Sequence, residues 1–221
     1  MCGRFAQIEP IGNIIKTFFI DEVVTDLVPS YNIAPGSRIL SVVVKDGKRY
    51  LVDYQWGLIP HWAKDPSIGN KMINARGETI NQKPSFRSAF RSRRCLIPAS
   101  GFYEWKKEGK VKVPYYVKPK SGSAFGFAGL HETWRAKSGE EVRTCTIITT
   151  GANAIMEPIH DRMPVIIPRD RQDQWLDTSV VPDEVLGLIA SYPADEMELY
   201  PVSSMVNSPK HDSAECITRL Q

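Results

Sequence analysis

The sequence predicts an α+β fold: one strand-rich domain, 1–221, in which an antiparallel β meander or barrel-like sheet carries flanking helices. Three observations predict it. Runs of β-branched and aromatic residues of strand length are joined across glycine-containing turns. Helical periodicity is strongest near the two ends of the chain. No repeat, low-complexity tract or convincing linker divides the 221 residues.

The elements follow in order. Ile11, Ile14, Ile15 and Phe18 recur at i, i+3, i+4 and i+7, an amphipathic helix opening near Pro10. Pro29 to Gly36 reads as loop, because two prolines and a glycine break either periodicity. Strands Ile39–Lys45 and Lys48–Trp56 flank Asp46-Gly47, the strongest short hairpin signal. A second hairpin is expected to join Cys95–Lys106 to Val113–Lys118 across Glu108-Gly109. Strands Ala124–Trp134 and Val142–Thr150 are separated by Ser138-Gly139. Pro182-Asp183-Glu184 starts a helix whose Val185, Leu188, Ile189 and Tyr192 share a face, and Met197–Ser203 adds a final strand.

Composition narrows the function classes. With 42% hydrophobic and 24% charged residues the chain is ordinary globular protein. At this length it buries roughly 70% of its unfolded surface, so it requires no disulfide or metal staple. A net charge of +3 permits a nucleic-acid partner without arguing for one. Cys2, Cys95, Cys145 and Cys216 form no CxxC pair, and His61, His131, His160 and His211 form no HExxH. No metal and no cofactor is expected. No apolar run approaches the roughly 20 residues of a membrane span, and no signal-peptide core is visible. The expected location is cytoplasmic, or nucleoid-associated.

Several stretches hold polar groups where folding alone would not place them. Trp56-Gly57-Leu58-Ile59-Pro60-His61-Trp62 runs from a strand into a turned loop tipped by an aromatic, or forms a satellite hydrophobic cluster. Asn74, Arg76 and Glu78 alternate and would face one side of an extended chain, as a solvated strand face also would. Glu104 is bracketed by Phe102, Tyr103 and Trp105, surroundings that raise a carboxyl pKa and suit acid–base work. An outward-facing glutamate on a half-buried strand is the alternative. His160-Asp161-Arg162 interrupts an apolar context, where a single satisfied histidine is the usual explanation. Arg87, Arg91, Arg93 and Arg94 interleave with Phe86 and Phe90, the materials of a single-strand binding groove or of a solvated helix face.

The start of the chain, Met1-Cys2-Gly3-Arg4-Phe5, is chemically distinctive. Cysteine is small enough for the initiator methionine to be removed, leaving an α-amine and a thiol on one residue. Such an aminothiol attacks an aldehyde to give a Schiff base, which the thiol closes to a five-membered thiazolidine. No internal cysteine does this.

Together with Tyr31-Asn32-Ile33-Ala34-Pro35, Ile73 to Thr79, Gly101 to Trp105, Ile159 to Pro164, and Val202-Ser203 with Val206-Asn207, these motifs resemble the SRAP family, the SOS-response-associated peptidases. The match is in order and spans nearly the whole chain. The resemblance implies a monomeric sensor of abasic sites in single-stranded DNA, including single-strand/duplex junctions, which shields the lesion as a thiazolidine crosslink. It implies Cys2 as nucleophile, with Asn74, Glu104 and His160 as active-site partners. Arg4, Pro35, Trp62, Arg76, Thr149 and Arg162 would contact DNA, the arginines at positions 76 and 162 on phosphates and Pro35 and Trp62 as wedge or stacking surface. Where some relatives carry a second tryptophan, this chain has Ala63. The family is also credited with autoproteolytic release of whatever precedes the cysteine.

Two other classes remain compatible with the residues. One is a cysteine-dependent hydrolase of the N-terminal-nucleophile kind, with His160 or Glu104 as base. The other is a non-catalytic single-strand binding module, which needs neither the thiol nor an aldehyde.

Overall fold

The computed structural model describes residues 2–220. Strand β1 (Phe5–Gln7) leads to helix α1 (Ile11–Phe18), which buries Ile14 and Phe18 and stops where Phe19 turns left-handed at φ 52°. Strands β2 (Glu22–Val23) and β3 (Ser30–Ile33) precede the hairpin of β4 (Arg38–Lys45) and β5 (Lys48–Trp56). Asp46 and Gly47 both take positive φ, 52° and 75°, as a type I′ turn demands. Next come β6 (Asn74–Arg76), helix α2 (Arg87–Ser92), and strands β7 (Arg94–Ala99), β8 (Gly101–Glu108) and β9 (Val111–Pro119). Strands β10 (Phe125–Arg135), β11 (Glu141–Gly151), β12 (Arg162–Pro164) and β13 (Ile166–Ile167) follow. Helices α3 (Gln172–Leu176) and α4 (Pro182–Leu186) and strand β14 (Met197–Pro201) complete the main elements.

Two sheets result. The first runs β14-β9-β8-β1-β3 and is antiparallel throughout. The second runs β12-β11-β10-β7-β4-β5-β2, and β11 also pairs with β5, so β4, β5, β11, β10 and β7 close into a ring. The barrel expectation therefore holds, but the sheet is mixed. Strand β11 is parallel to both β5 and β6, and β2 is parallel to β5. Closure sets this orientation, because β6 takes over from β5 along the same edge of β11.

Three sequence expectations are corrected. The expected strand Cys95–Lys106 is two strands in different sheets, broken at Ser100, whose backbone N–H bonds Ala6 O at 2.8 Å and whose hydroxyl accepts from Ile8 N at 3.0 Å. The expected loop 29–36 contains β3, which pairs with β1 between the two prolines. The late helix ends at Leu186. Leu188 and Ile189 continue it only as tighter turns, bonding Val185 O and Leu186 O at 3.1 and 3.0 Å.

The core lies on both faces of the ring. One cluster fills the space between the sheets, with Cys2, Phe5, Trp56, Phe102, Phe127, Met156 and Met163. Phe127 is its hub, with ring centroids of Phe125, Phe5 and Phe102 at 5.1, 5.8 and 6.1 Å. The second cluster packs α1, α2 and α3 against the ring through Ile14, Phe18, Phe90 and Trp175.

Gly101 sits where β8 leaves the sheet switch, and a Cβ there would lie 2.2 Å from Cζ of the buried Tyr116 ring. Gly101→Ala should therefore lower the unfolding free energy by about 1–3 kcal/mol in urea titration. A second substitution, Tyr116→Leu, should return part of that loss. Additive losses in the double variant would show that the clash is not the cause.

Candidate active site and nucleic-acid interface

Cys2 owes its position to β1. Antiparallel pairing of Phe5 with Phe102 and Ala6 with Gly101, extended by Tyr103 N to Arg4 O at 3.0 Å, draws the start of the chain alongside β8. Phe5 anchors it edge-on to Trp56 at 5.4 Å. Cys2 is 0% exposed, and burial, with the Glu104 carboxylate adding to it, pushes its thiol pKa well up. All four cysteines are free and buried.

Glu104 is also buried, 4% exposed, and lies opposite Tyr115 in the β8–β9 ladder. Burial raises its pKa, and the neighbouring His160 partly offsets that. The direction is as expected from the sequence, but the surroundings differ. Strand alternation sends Tyr103 and Trp105 to the opposite face, where they join Tyr116 and Val206. Desolvation comes instead from the inter-sheet cluster that holds Phe102 and Cys2.

His160 ends a turn that folds back over this cluster. Met156 is its buried pin, Asn153 Oδ1 accepts from Met156 N at 3.2 Å, and Asn153 Nδ2 ties the turn to Tyr192 O at 2.7 Å. His160 Nδ1 lies 3.0 Å from Arg162 N and 2.9 Å from Asp161 Oδ1. The first contact needs a lone pair and the second a proton. The backbone N–H is fixed by β12, whereas the Asp161 side chain is exposed. Nδ1 is therefore placed to accept from Arg162 N.

Asn74 and Arg76 flank the buried Ala75 on β6, paired in parallel with Ile147 and Thr149 of β11. Asn74 Nδ2 donates to Ile73 O at 3.0 Å, while its buried Oδ1 has no hydrogen-bond partner among the described residues. Such an acceptor is suited to an incoming donor. The expected alternation does not extend to Glu78. Residues Gly77–Thr79 form a 3-10 turn, and this swings Glu78 round to Arg162 across β11. Arg162 Nη1 and Nη2 meet Glu78 Oε1 and Oε2 at 2.5 and 2.9 Å, and Nη2 also donates to Thr149 O at 2.8 Å. That bond holds the Glu78 carboxyl below its ordinary pKa range. Thr149 itself is fully buried, and its hydroxyl accepts from Arg162 Nη2 at 3.3 Å.

Two further residues expected to contact DNA, Pro35 and Trp62, are exposed. Pro35 and Gly36 occupy the corners of a turn closed by Ser37 N to Ala34 O at 3.2 Å, with Gly36 at φ 87°, a type II geometry. Gly36 N bonds Trp56 O at 2.8 Å, which ties this turn to the end of β5. Trp62 is 50% exposed on the loop that follows β5. That loop is held from below: Trp134 Nε1 donates to Ala63 O at 2.8 Å, and His61 Nδ1 lies 3.2 Å from the buried Glu132 Oε2. Ala63 is buried beside Ile59 and Trp134, so position 63 is a packing position here.

Arg4 has a different setting. Its Nη1 donates to Asn32 Oδ1 and Val206 O, both at 2.7 Å, and so ties the N-terminal segment to β3 and to the end of the chain. The arginine–aromatic stretch is corrected outright as a groove. Phe90 is core, Arg94 is 1% exposed with its guanidinium on the carbonyls of Trp175, Phe90 and Asp177, and Arg93 bonds Glu132. Only Arg87 and Arg91 of that run are exposed. Sequence reasoning missed the Glu132–His61 and Asn153–Tyr192 ties, because single polar residues inside apolar strands and turns carry no periodic signal.

The family model described as SOS response associated peptidase (SRAP) matches residues 1–209. The abasic site processing protein YoqW of Bacillus subtilis is 49% identical over 221 residues, covering 98% of this chain and 99% of its own. The abasic site processing protein HMCES of Gallus gallus is 34% identical, with 87% of this chain and 67% of that protein covered, and YedK of Escherichia coli is 29% identical, with 98% and 99% covered. A crystal structure of a Bacteroides thetaiotaomicron protein superposes with a TM-score of 0.91 at 27% identity, both chains covered completely. With this match across the sequence and the fold, the chain belongs to the SOS response associated peptidase (SRAP) family.

Proposed function

We propose that this protein processes abasic sites in single-stranded DNA by forming a covalent thiazolidine through Cys2 once Met1 has been removed. The observation that carries the reading is the draw of the chain's start into a buried position beside Glu104, among relatives named abasic site processing proteins.

The chemistry follows from the groups present. An abasic sugar is mostly a closed hemiacetal, so its aldehyde appears only when a proton is given to one oxygen and taken from another. Glu104 and His160 are the donor and acceptor types for that step. The Cys2 amine adds to the aldehyde carbon and water leaves, giving the Schiff base. The thiol sulfur then bonds the same carbon, and its proton passes to the imine nitrogen. Closing the ring removes the electron sink that would drive strand cleavage by β-elimination. Asn74 Oδ1 is the acceptor available to the amine or to a sugar hydroxyl, and Arg76 and Arg162 suit the flanking phosphates, with Trp62 and Pro35 against the bases. The hydrolase reading is weaker, because a thiol with a raised pKa is a poor source of thiolate for attack on an amide. Addition to an iminium makes no such demand.

Mass spectrometry of the mature protein should show loss of Met1 and a 1:1 adduct with abasic single-stranded DNA that survives denaturation without borohydride. Cys2→Ala should abolish the adduct, and Cys2→Ser should give no stable product. Equal crosslinking by Cys2→Ala would exclude the aminothiol.

Glu104 gives a pH-dependent test. Its folded-state pKa is raised, so its ionisation opposes folding: the penalty is absent below about pH 4 and grows as pH rises through the folded value. Glu104→Gln should therefore melt higher than the parent at pH 7 and match it near pH 4, while slowing crosslink formation and reversal alike. A stability difference independent of pH would refute the raised pKa, and parental rates would remove Glu104 from the proton transfers.

Arg76→Ala should weaken binding of single-stranded DNA and lower the salt slope by roughly 0.7 log units per log unit of salt, the contribution of one phosphate. An unchanged slope in an anisotropy titration would take Arg76 off the phosphate path.

A further inference from the structure

Arg162 is suited to a phosphate, yet its fork is already occupied. Two parallel bonds join it to Glu78, the geometry in which a guanidinium also grips a phosphate. The two partners are unequally held. The Arg162 side chain is 13% exposed and stays tied to Thr149 O, whereas the Glu78 side chain is 52% exposed on a short 3-10 turn. Rotating Glu78 out into water buries nothing and breaks no core packing. Moving Arg162 would strip Thr149 O of its donor. Arg76, across β11, adds a second cation to the same rim, so the carboxylate holds down a site that would otherwise present two guanidiniums to any polyanion.

We propose that Glu78 is an exchangeable occupant of the Arg162 phosphate site, displaced when single-stranded DNA binds, and that it thereby weakens retention on undamaged DNA. This rests on the reading that single-stranded DNA is the partner. The logic is one of discrimination. Phosphates are identical at damaged and undamaged nucleotides, so strong phosphate contacts alone would hold the protein on intact strand. An internal carboxylate lowers phosphate affinity everywhere alike and leaves lesion selection to the covalent step. The opposite role would be a permanent brace that aims Arg162, and the two differ in sign.

The test is fluorescence anisotropy with an intact, abasic-free oligonucleotide, so that crosslinking plays no part. The parent, Glu78→Gln, Arg162→Ala and the double variant are titrated at ~50 mM and ~500 mM salt. Glu78→Gln keeps the size and one acceptor but removes the charge. It should bind about fivefold more tightly at the lower salt, and the gain should shrink at the higher one, where exposed charges are screened. In the Arg162→Ala background the gain should fall below about twofold. Weaker or unchanged binding by Glu78→Gln would overturn the proposal in favour of a brace. An equal gain in both backgrounds would overturn it as a mere change of net charge. Failure of the parent to bind either intact or abasic single-stranded DNA would instead overturn the underlying choice of partner, and the exchange with it.

Discussion

The burial of Phe5 is the contact on which the site depends. Short segments of this kind fray unless tertiary contacts hold them. Here β1 is a middle strand of the antiparallel sheet, bonded to β8 on one side and β3 on the other. Phe5 fills the inter-sheet core against Trp56 and Phe127, and Arg4 ties the same segment to Asn32 and Val206. Burying a phenylalanine contributes about 1.5–3 kcal/mol, and each well-set ring pair about 0.5–1.5 kcal/mol more. That is enough to hold three residues upstream in one place, so that the nitrogen and sulfur of Cys2 have fixed neighbours.

Those neighbours come from distant parts of the chain because the barrel closes. Strand β11 is central: it carries β5 and β6 along one edge and β10 and β12 along the other at successive registers. Arg76 from β6 and Arg162 from β12 thus stand on either side of it, joined through Thr149 and Glu78. Strand β8, from the other sheet, brings Glu104 to the same face as Phe102 and Cys2. Neither sheet alone assembles the set.

The electrostatics are divided by depth. Deep in the cluster, burial keeps the Cys2 thiol protonated and raises the Glu104 carboxyl pKa. At the rim the Arg162–Glu78 pair has the reverse effect, holding the Glu78 carboxyl ionised. In the proposed reading, proton transfer belongs to the first environment and phosphate binding to the second. A raised carboxyl pKa of this kind opposes folding once the pH is above the ordinary carboxylate range.

The sequence by itself determined the strand-rich class, the Asp46-Gly47 hairpin and the first helix, since these rest on local periodicity and turn chemistry. It also marked Cys2, Asn74, Glu104, His160, Arg76, Arg162 and Trp62 as the residues to watch. Tertiary structure decided what local pattern does not encode. Ser100 switches sheets because β1 supplies its partners, which no alternation within 95–106 announces. Phe90 and Arg94 became core and cap, because an arginine looks the same in sequence whether its guanidinium meets carbonyls or water. Tyr103 and Trp105 face away from Glu104, so of its three aromatic neighbours only Phe102 shares its face, together with Cys2 and other residues far along the chain. And the Glu78–Arg162 pair spans 84 positions, a contact that only closure of β6, β11 and β12 into one sheet brings within bonding distance.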